Sequence, residues 1–200
     1  MSVSRSSRLR VAATWSAVPI GLLISSALVW QASFSAFSAT TSNPANNWAA
    51  GTVVLADDDS NQAMFNVTGM VPGATGSKCI AVTSSGTLAS TVELYGTGAT
   101  ATNSLDTYVN LIVEQGTGGG FAAGCAGFAA DAGAPNSFTG TLAAFASSYT
   151  SFATGFGTWA PAAGTQVKVY KITYTLDAAT PNSAQGSTAS IGLTWEAQNS

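Results

Sequence analysis

The chain has 200 residues, of which 8% are charged and 21 are glycine; its formal net charge is −3 and it contains no histidine. The missing imidazole removes the usual zinc-protease and Ser-His catalytic sets. Six basic residues are too few for the positive stripe that phosphate binding needs, so nucleic acid is not an expected partner.

Residues 1–10 carry Arg5, Arg8 and Arg10 and no acid, and 11–32 are apolar apart from Thr, Ser and a single Gln. A basic start before such a run is the form of an export signal, and the absence of adjacent arginines separates it from the twin-arginine type. The run is also long enough to span a bilayer, for which about 20 residues suffice, so an uncleaved anchor is the alternative. Pro19 and Gly21 interrupt it. Ser33 and Ser35 place small residues three and one before the Ser35/Ala36 bond, where a signal peptidase needs them. The expected organisation is a helical signal peptide over 1–35, an N-terminal segment over 36–50 and a folded domain over 51–200. Cleavage takes away three of six basic residues and none of nine acids, leaving a net charge of −6. That balance suits an exported all-β wall or matrix protein, touching membrane only through its leader.

Past the leader, period-two alternation marks the strands. Residues 51–56 are short and β-branched and end in the acidic turn Asp57-Asp58-Asp59-Ser60-Asn61. Residues 62–68 put Ala63, Phe65 and Val67 on one face, before a turn at Pro72-Gly73. Strands follow over 78–83, with Ile80 and Val82 inward, and 91–95, with Val92 and Leu94 inward. Over 108–114 the face Val109, Leu111, Val113 is purely apolar. Residues 116–136 are Gly- and Ala-rich and too long for an ordinary loop, so they are either functional or tied down. After a strand over 138–143, Phe145, Tyr149, Phe152 and Phe156 recur at the spacing of one helix face, an aromatic stripe expected to cap the sheets rather than line a groove. The longest strand is 166–176, with Tyr170, Ile172, Tyr174 and Leu176 on one side and Val167, Val169 and Lys171 on the other. The last, 189–197, points Ile191, Leu193, Trp195 and Ala197 one way. About eight strands without βαβ alternation predict an all-β antiparallel sandwich with one short helix.

Export would send Cys79 and Cys125 to an oxidising compartment, where a single disulfide closing 46 residues is the default reading. Such a loop is worth about 4 kcal/mol in the chain-entropy model. Neither CxxC spacing nor a histidine speaks for a redox or metal pair.

The leader ending Ser35-Ala36-Phe37-Ser38, then Trp48-Ala-Ala-Gly-Thr-Val-Val-Leu55, Phe65-Asn-Val-Thr-Gly-Met-Val-Pro-Gly73, Ser85-Gly-Thr-Leu88 and the terminal Leu193-Thr-Trp-Glu-Ala197 stand in an order that resembles the TasA/camelysin family. The cysteine pair resembles an actinobacterial branch of it, while 96–163 match only loosely. The resemblance implies export with a dedicated signal peptidase, a jelly-roll sandwich and, for TasA-like members, a biofilm-matrix or cell-surface fibre. In such a fibre the cleaved N-terminal segment of one copy completes a sheet of the next. By analogy the donor is Ala36, Phe37, Ser38, Ala39, Thr40, Thr41, Ser42 and Asn43, because Pro44 cannot donate a ladder hydrogen bond. A free N-terminal tail is the alternative.

Camelysin-like members are described as metalloproteases, but this chain has no HExxH, so the activity does not carry over and no catalytic residue, metal or cofactor is expected. Asp57-Asp58-Asp59 is the only carboxylate cluster, read as a solvated turn before a calcium loop. Lys168 and Lys171 fall on a strand without a partner signature. Besides the homopolymer, the chain could be a monomeric exported module showing 116–136 to wall or matrix components.

Overall fold

The computed structural model describes residues 52–60, 62–67 and 69–199, and the backbone of 38–41. The expected leader, the Ser35/Ala36 cleavage bond and the donor residues Ala36, Phe37, Ser42 and Asn43 lie outside the described residues.

Ten strands and one α-helix form among the described residues: β1 (Ser38–Thr41), β2 (Leu55–Asp57), β3 (Thr75–Ser84), β4 (Ser90–Ala101), β5 (Val109–Thr117), β6 (Ala129–Ala130), β7 (Ser137–Thr141), α1 (Leu142–Ser148), β8 (Phe156–Trp159), β9 (Gln166–Leu176) and β10 (Ala189–Asn199). One sheet runs β1-β10-β4-β8 and the other β2-β3-β9-β5-β6, with β7 also on β5, and all pairings are antiparallel. The chain therefore pairs from the outside in, β1 with β10, β3 with β9, β4 with β8 and β5 with β7. A long ribbon rolled up in this way is a jelly roll, with β2 and β6 as additions.

Alternation decides which residues form the core. Ile80 and Val82 of β3, Val92 and Leu94 of β4, Val109, Leu111 and Val113 of β5, Tyr170, Ile172 and Leu176 of β9, and Trp195 and Ala197 of β10 are all buried. Full burial of a large apolar side chain contributes about 1.5–3 kcal/mol, so these inner faces are what holds the two sheets together. β9 has the predicted bounds; β3 and β4 run longer than their alternating stretches because small residues, mostly threonine, serine, glycine and alanine, continue the ladders, and β10 runs on through Gln198 and Asn199 opposite Thr91 and Ser90.

Four expectations need correction. Residues 62–67 contain no strand: Met64 is buried, Phe65 packs edge-on to Tyr174 at 5.2 Å, and Val67 stays 45% exposed. The segment is an irregular crossing that plugs the core with Met64, the residue on the opposite face from the expected one. Residues 52–54 run beside the turn at 85–87, Ser85 N donating to Val54 O and Thr87 N to Thr52 O, so only Leu55–Asp57 joins the sheet as strand.

The helix is also shorter than its aromatic stripe. Thr141 caps it, its hydroxyl accepting from Ala144 N at 3.1 Å, and Tyr149 already leaves helical geometry. Ser147, Ser148 and Thr150 are poor interior residues, and Ser147 and Thr150 bond locally, to Ala144 O and to the Thr154 hydroxyl, which ends the helix at two turns. Phe152 falls in a separate 3-10 turn and Phe156 in β8. Even so the Tyr149 ring meets Phe145 at 4.9 Å in a tilted contact and Phe138 at 5.6 Å and Phe156 at 5.7 Å edge-on, an aromatic cluster built from β7, α1 with its C-cap, and β8. Finally, Lys168 and Lys171 do have partners: Lys171, on the outer row of β9, lies opposite Glu114 of the neighbouring β5, 3.5 Å away, and Lys168, on the Tyr170 row near the strand's start, reaches Asp131 of the long loop at 2.8 Å.

Candidate functional site

The stretch expected to act as donor provides β1. Its backbone pairs with β10 alone, Ser38 opposite Gln198, Ala39 opposite Ala197, Thr40 opposite Glu196 and Thr41 opposite Trp195. It is thus an edge strand, held on one side by a partner almost three times its length. β10 continues past it through 189–194, where its pairing with β4 shifts register between Ser190 and Gly192.

Below this ladder, β10 sets Glu196 opposite Glu93 of β4. Glu196 is well served: Tyr95 Oη donates to its Oε2 at 2.8 Å and Gln198 Nε2 to its Oε1 at 2.9 Å. Burial, then the bond to Glu196, pushes the Tyr95 phenol up to about 12. Glu93 has the opposite fate. Gly155 lies so close over it that a Cβ there would come within 2.4 Å of Glu93 Cβ, and Glu93 Oε2 is buried without a hydrogen-bond partner among the described residues. Loss of water drives its carboxyl up to about 7, the direction expected when no cation compensates burial.

The long loop is tied down rather than free. Cys79 and Cys125 form the disulfide, their Cα atoms 5.2 Å apart. Asp58 adds a second tie, its Oδ1 accepting from Ala81 N at 2.9 Å and its Oδ2 from Phe121 N at 2.7 Å. Lys78 sits over the Phe121 ring at 4.7 Å and Lys171 near Phe128 at 5.6 Å. The acidic turn is accordingly a structural clamp: both Asp58 oxygens serve backbone amides, while burial and a hydrogen bond with Asp59 raise Asp57 to about 6. Among the described residues no three His, Cys, Asp or Glu side chains converge as a ligand set.

A polar network absent from the sequence expectations closes the far margin of the β1 sheet. Gln115, 2% exposed on the inner face of β5, donates from Nε2 to Asp131 Oδ2 at 3.0 Å and to Asn136 Oδ1 at 3.2 Å. Its Oε1 accepts from Thr158 N of β8 at 3.3 Å. Thr158 Oγ1 donates to Asn136 Oδ1 at 2.6 Å, and Asn136 Nδ2 to Ala132 O at 2.8 Å. Burial alone would raise Asp131, but hydrogen bonds from Lys168 and Gln115 and the lysine's charge hold it below the usual carboxylate value. Burial keeps Tyr170, beside Gln115, far above the ordinary phenol range. The signal was present in the sequence: continuing the Val109, Leu111, Val113 alternation puts Gln115 in the core, where a polar side chain needs partners.

None of the known protein-family models matches this chain, and neither does any curated protein.

Proposed function

We propose that the chain is a secreted structural protein that forms cell-surface or biofilm-matrix fibres, each copy lending residues 36–43 to the next as a donor strand. The observation that carries this reading is the position of Ser38–Thr41: an edge strand whose backbone ladder is with β10 alone. Every pairing it makes at home can be made by the same segment of a second copy, so exchange costs no ladder bond. Strand addition of this kind draws its affinity from the backbone ladder.

Continuing the observed register, a donor strand would set Asn43 against Leu193 and Pro44 against Gly192. There β10's own ladder is already irregular, so the proline falls where regular pairing ends. The energetics require such a ladder. One docked Phe37 offers about 1.5–3 kcal/mol, against an association cost of roughly 4–15 kcal/mol.

In this reading the dedicated signal peptidase acts during export, copies of the chain are the main partners, and the resemblance to TasA-like proteins supplies the biological setting. The ties on 116–136 favour a structural role for that loop over a displayed binding surface. Negative-stain microscopy of the mature chain with and without 36–43 tests the proposal. Filaments from the complete mature chain that vanish in the folded deletion support it. A complete mature chain that stays monomeric at high concentration overturns it and leaves the exported binding module.

A further inference from the structure

The β1-β10-β4-β8 sheet has two margins, and an open margin of an antiparallel sheet is a template for another chain. If copies join by donated strands, which margin receives them decides whether they form lines or tangles. The β8 margin carries several obstructions at once. β8 has four residues, and two of them, Gly157 and Thr158, bulge opposite the single residue Glu93. Pro161, fully buried, follows soon after and offers no N–H.

The decisive feature is where Thr158 N–H goes. Gln115, reaching across from the opposite sheet, takes it, and Asn136 takes the Thr158 hydroxyl. Gly157 makes the approach possible: its φ is +118°, and a Cβ there would stand 2.6 Å from Gln115 Oε1. Asp131, itself held by Lys168, fixes the Gln115 amide in the orientation that presents Oε1 to β8.

We infer that Gln115 and Asn136 guard the β8 margin, so that within this sheet a second copy of the chain adds a strand at the β1/β10 end and not beside β8. This rests on the strand-donation reading above, which supplies the direction of growth; the guard removes the β8 margin as a second point of attachment. Freed of Gln115, β8 would present an unsatisfied amide at a sheet edge to any neighbouring strand, the donor segment of another copy being the one present in highest concentration.

The test compares the mature chain with its Gln115→Leu variant by amide hydrogen exchange, static light scattering over a concentration series and negative-stain microscopy. Exchange at Thr158 should rise about tenfold on loss of one hydrogen bond, and the variant should form wider, laterally joined or irregular assemblies at concentrations where the parent gives single filaments. Thr158→Ala, which removes only the hydroxyl bond at a solvent-facing residue, serves if Gln115→Leu loses its cooperative unfolding transition, and should show the same change to a smaller degree. A folded variant with a faster Thr158 amide but the parent's association state overturns the guard, as does a Thr158 amide that stays protected without Gln115. A parent that remains monomeric sinks strand donation instead, and the guard is then judged by whether the variant alone associates.

Discussion

Replacing Glu93 by glutamine should make the protein more stable in mild alkali and leave it nearly unchanged in acid. The carboxyl is packed under Gly155, one oxygen is buried without a partner, and the three lysines are engaged elsewhere, Lys78 over Phe121, Lys168 with Asp131 and Lys171 with Glu114. The other titratable groups around it, Glu196 opposite, Tyr95 two residues on and the buried Tyr170, bring no positive charge. The folded chain keeps the Glu93 proton to about pH 7, whereas the ordinary carboxyl loses it near 4.5. Between those values the folded state binds more protons than the unfolded one, so this group's stabilising contribution is complete below pH 4.5 and is lost as pH rises through 7. At about 1.4 kcal/mol per pKa unit the ceiling is about 3 kcal/mol, which water on the open side of the carboxyl cuts to roughly 1–2 kcal/mol. Glu93→Gln removes the titration, so at pH 8 its melting temperature should exceed the parent's by about 3–6 °C, narrowing to little difference by pH 4.5. Calorimetry of both proteins across that range checks this, and Asp57, common to both, cancels from the difference. Parallel stability curves, or a Glu93 side-chain resonance titrating near its ordinary value, would refute the reasoning.

Two further changes probe the ties on the long loop. Cys79→Ala with Cys125→Ala should lower the unfolding free energy by about 4 kcal/mol, read from denaturant midpoints, with new proteolytic cuts confined to 118–128. Asp58→Ala strips acceptors from two backbone amides and should cost about 2–4 kcal/mol, with faster hydrogen exchange at Ala81 and Phe121. Unchanged exchange at both amides would mean that the clamp lies elsewhere.

How far the sequence could be read depended on the range of the forces involved. β9 and the inner face of β5 were legible because strict alternation is a local pattern imposed by a single buried face. The helix is overextended in the sequence reading because Phe145, Tyr149 and Phe156, which serve one cluster, repeat with Phe152 at helical spacing, while the serines and threonines that stop the helix weigh less than the stripe. β8 escaped because four residues with a central glycine carry no alternation, and their place is set by Gln115 from another sheet. Asp58 looked like a solvated turn because its amide partners, Ala81 and Phe121, lie 23 and 63 residues away. Position 64 shows where alternation fails: it puts Phe65 on the inner face, but on an irregular backbone Met64 is the residue buried in the core and Phe65 packs at its margin.

The basic side chains of the described residues are unevenly shared between the two sheets. All three lysines stand on β3 and β9, whereas β1, β10, β4 and β8 contain none. Amine-directed dyes, biotin or coupling resins will therefore attach to the sheet that contains β3 and β9, apart from the chain's own α-amino group. Single-molecule labelling or surface immobilisation can thus be carried out while the ladder between β1 and β10 keeps its native chemistry.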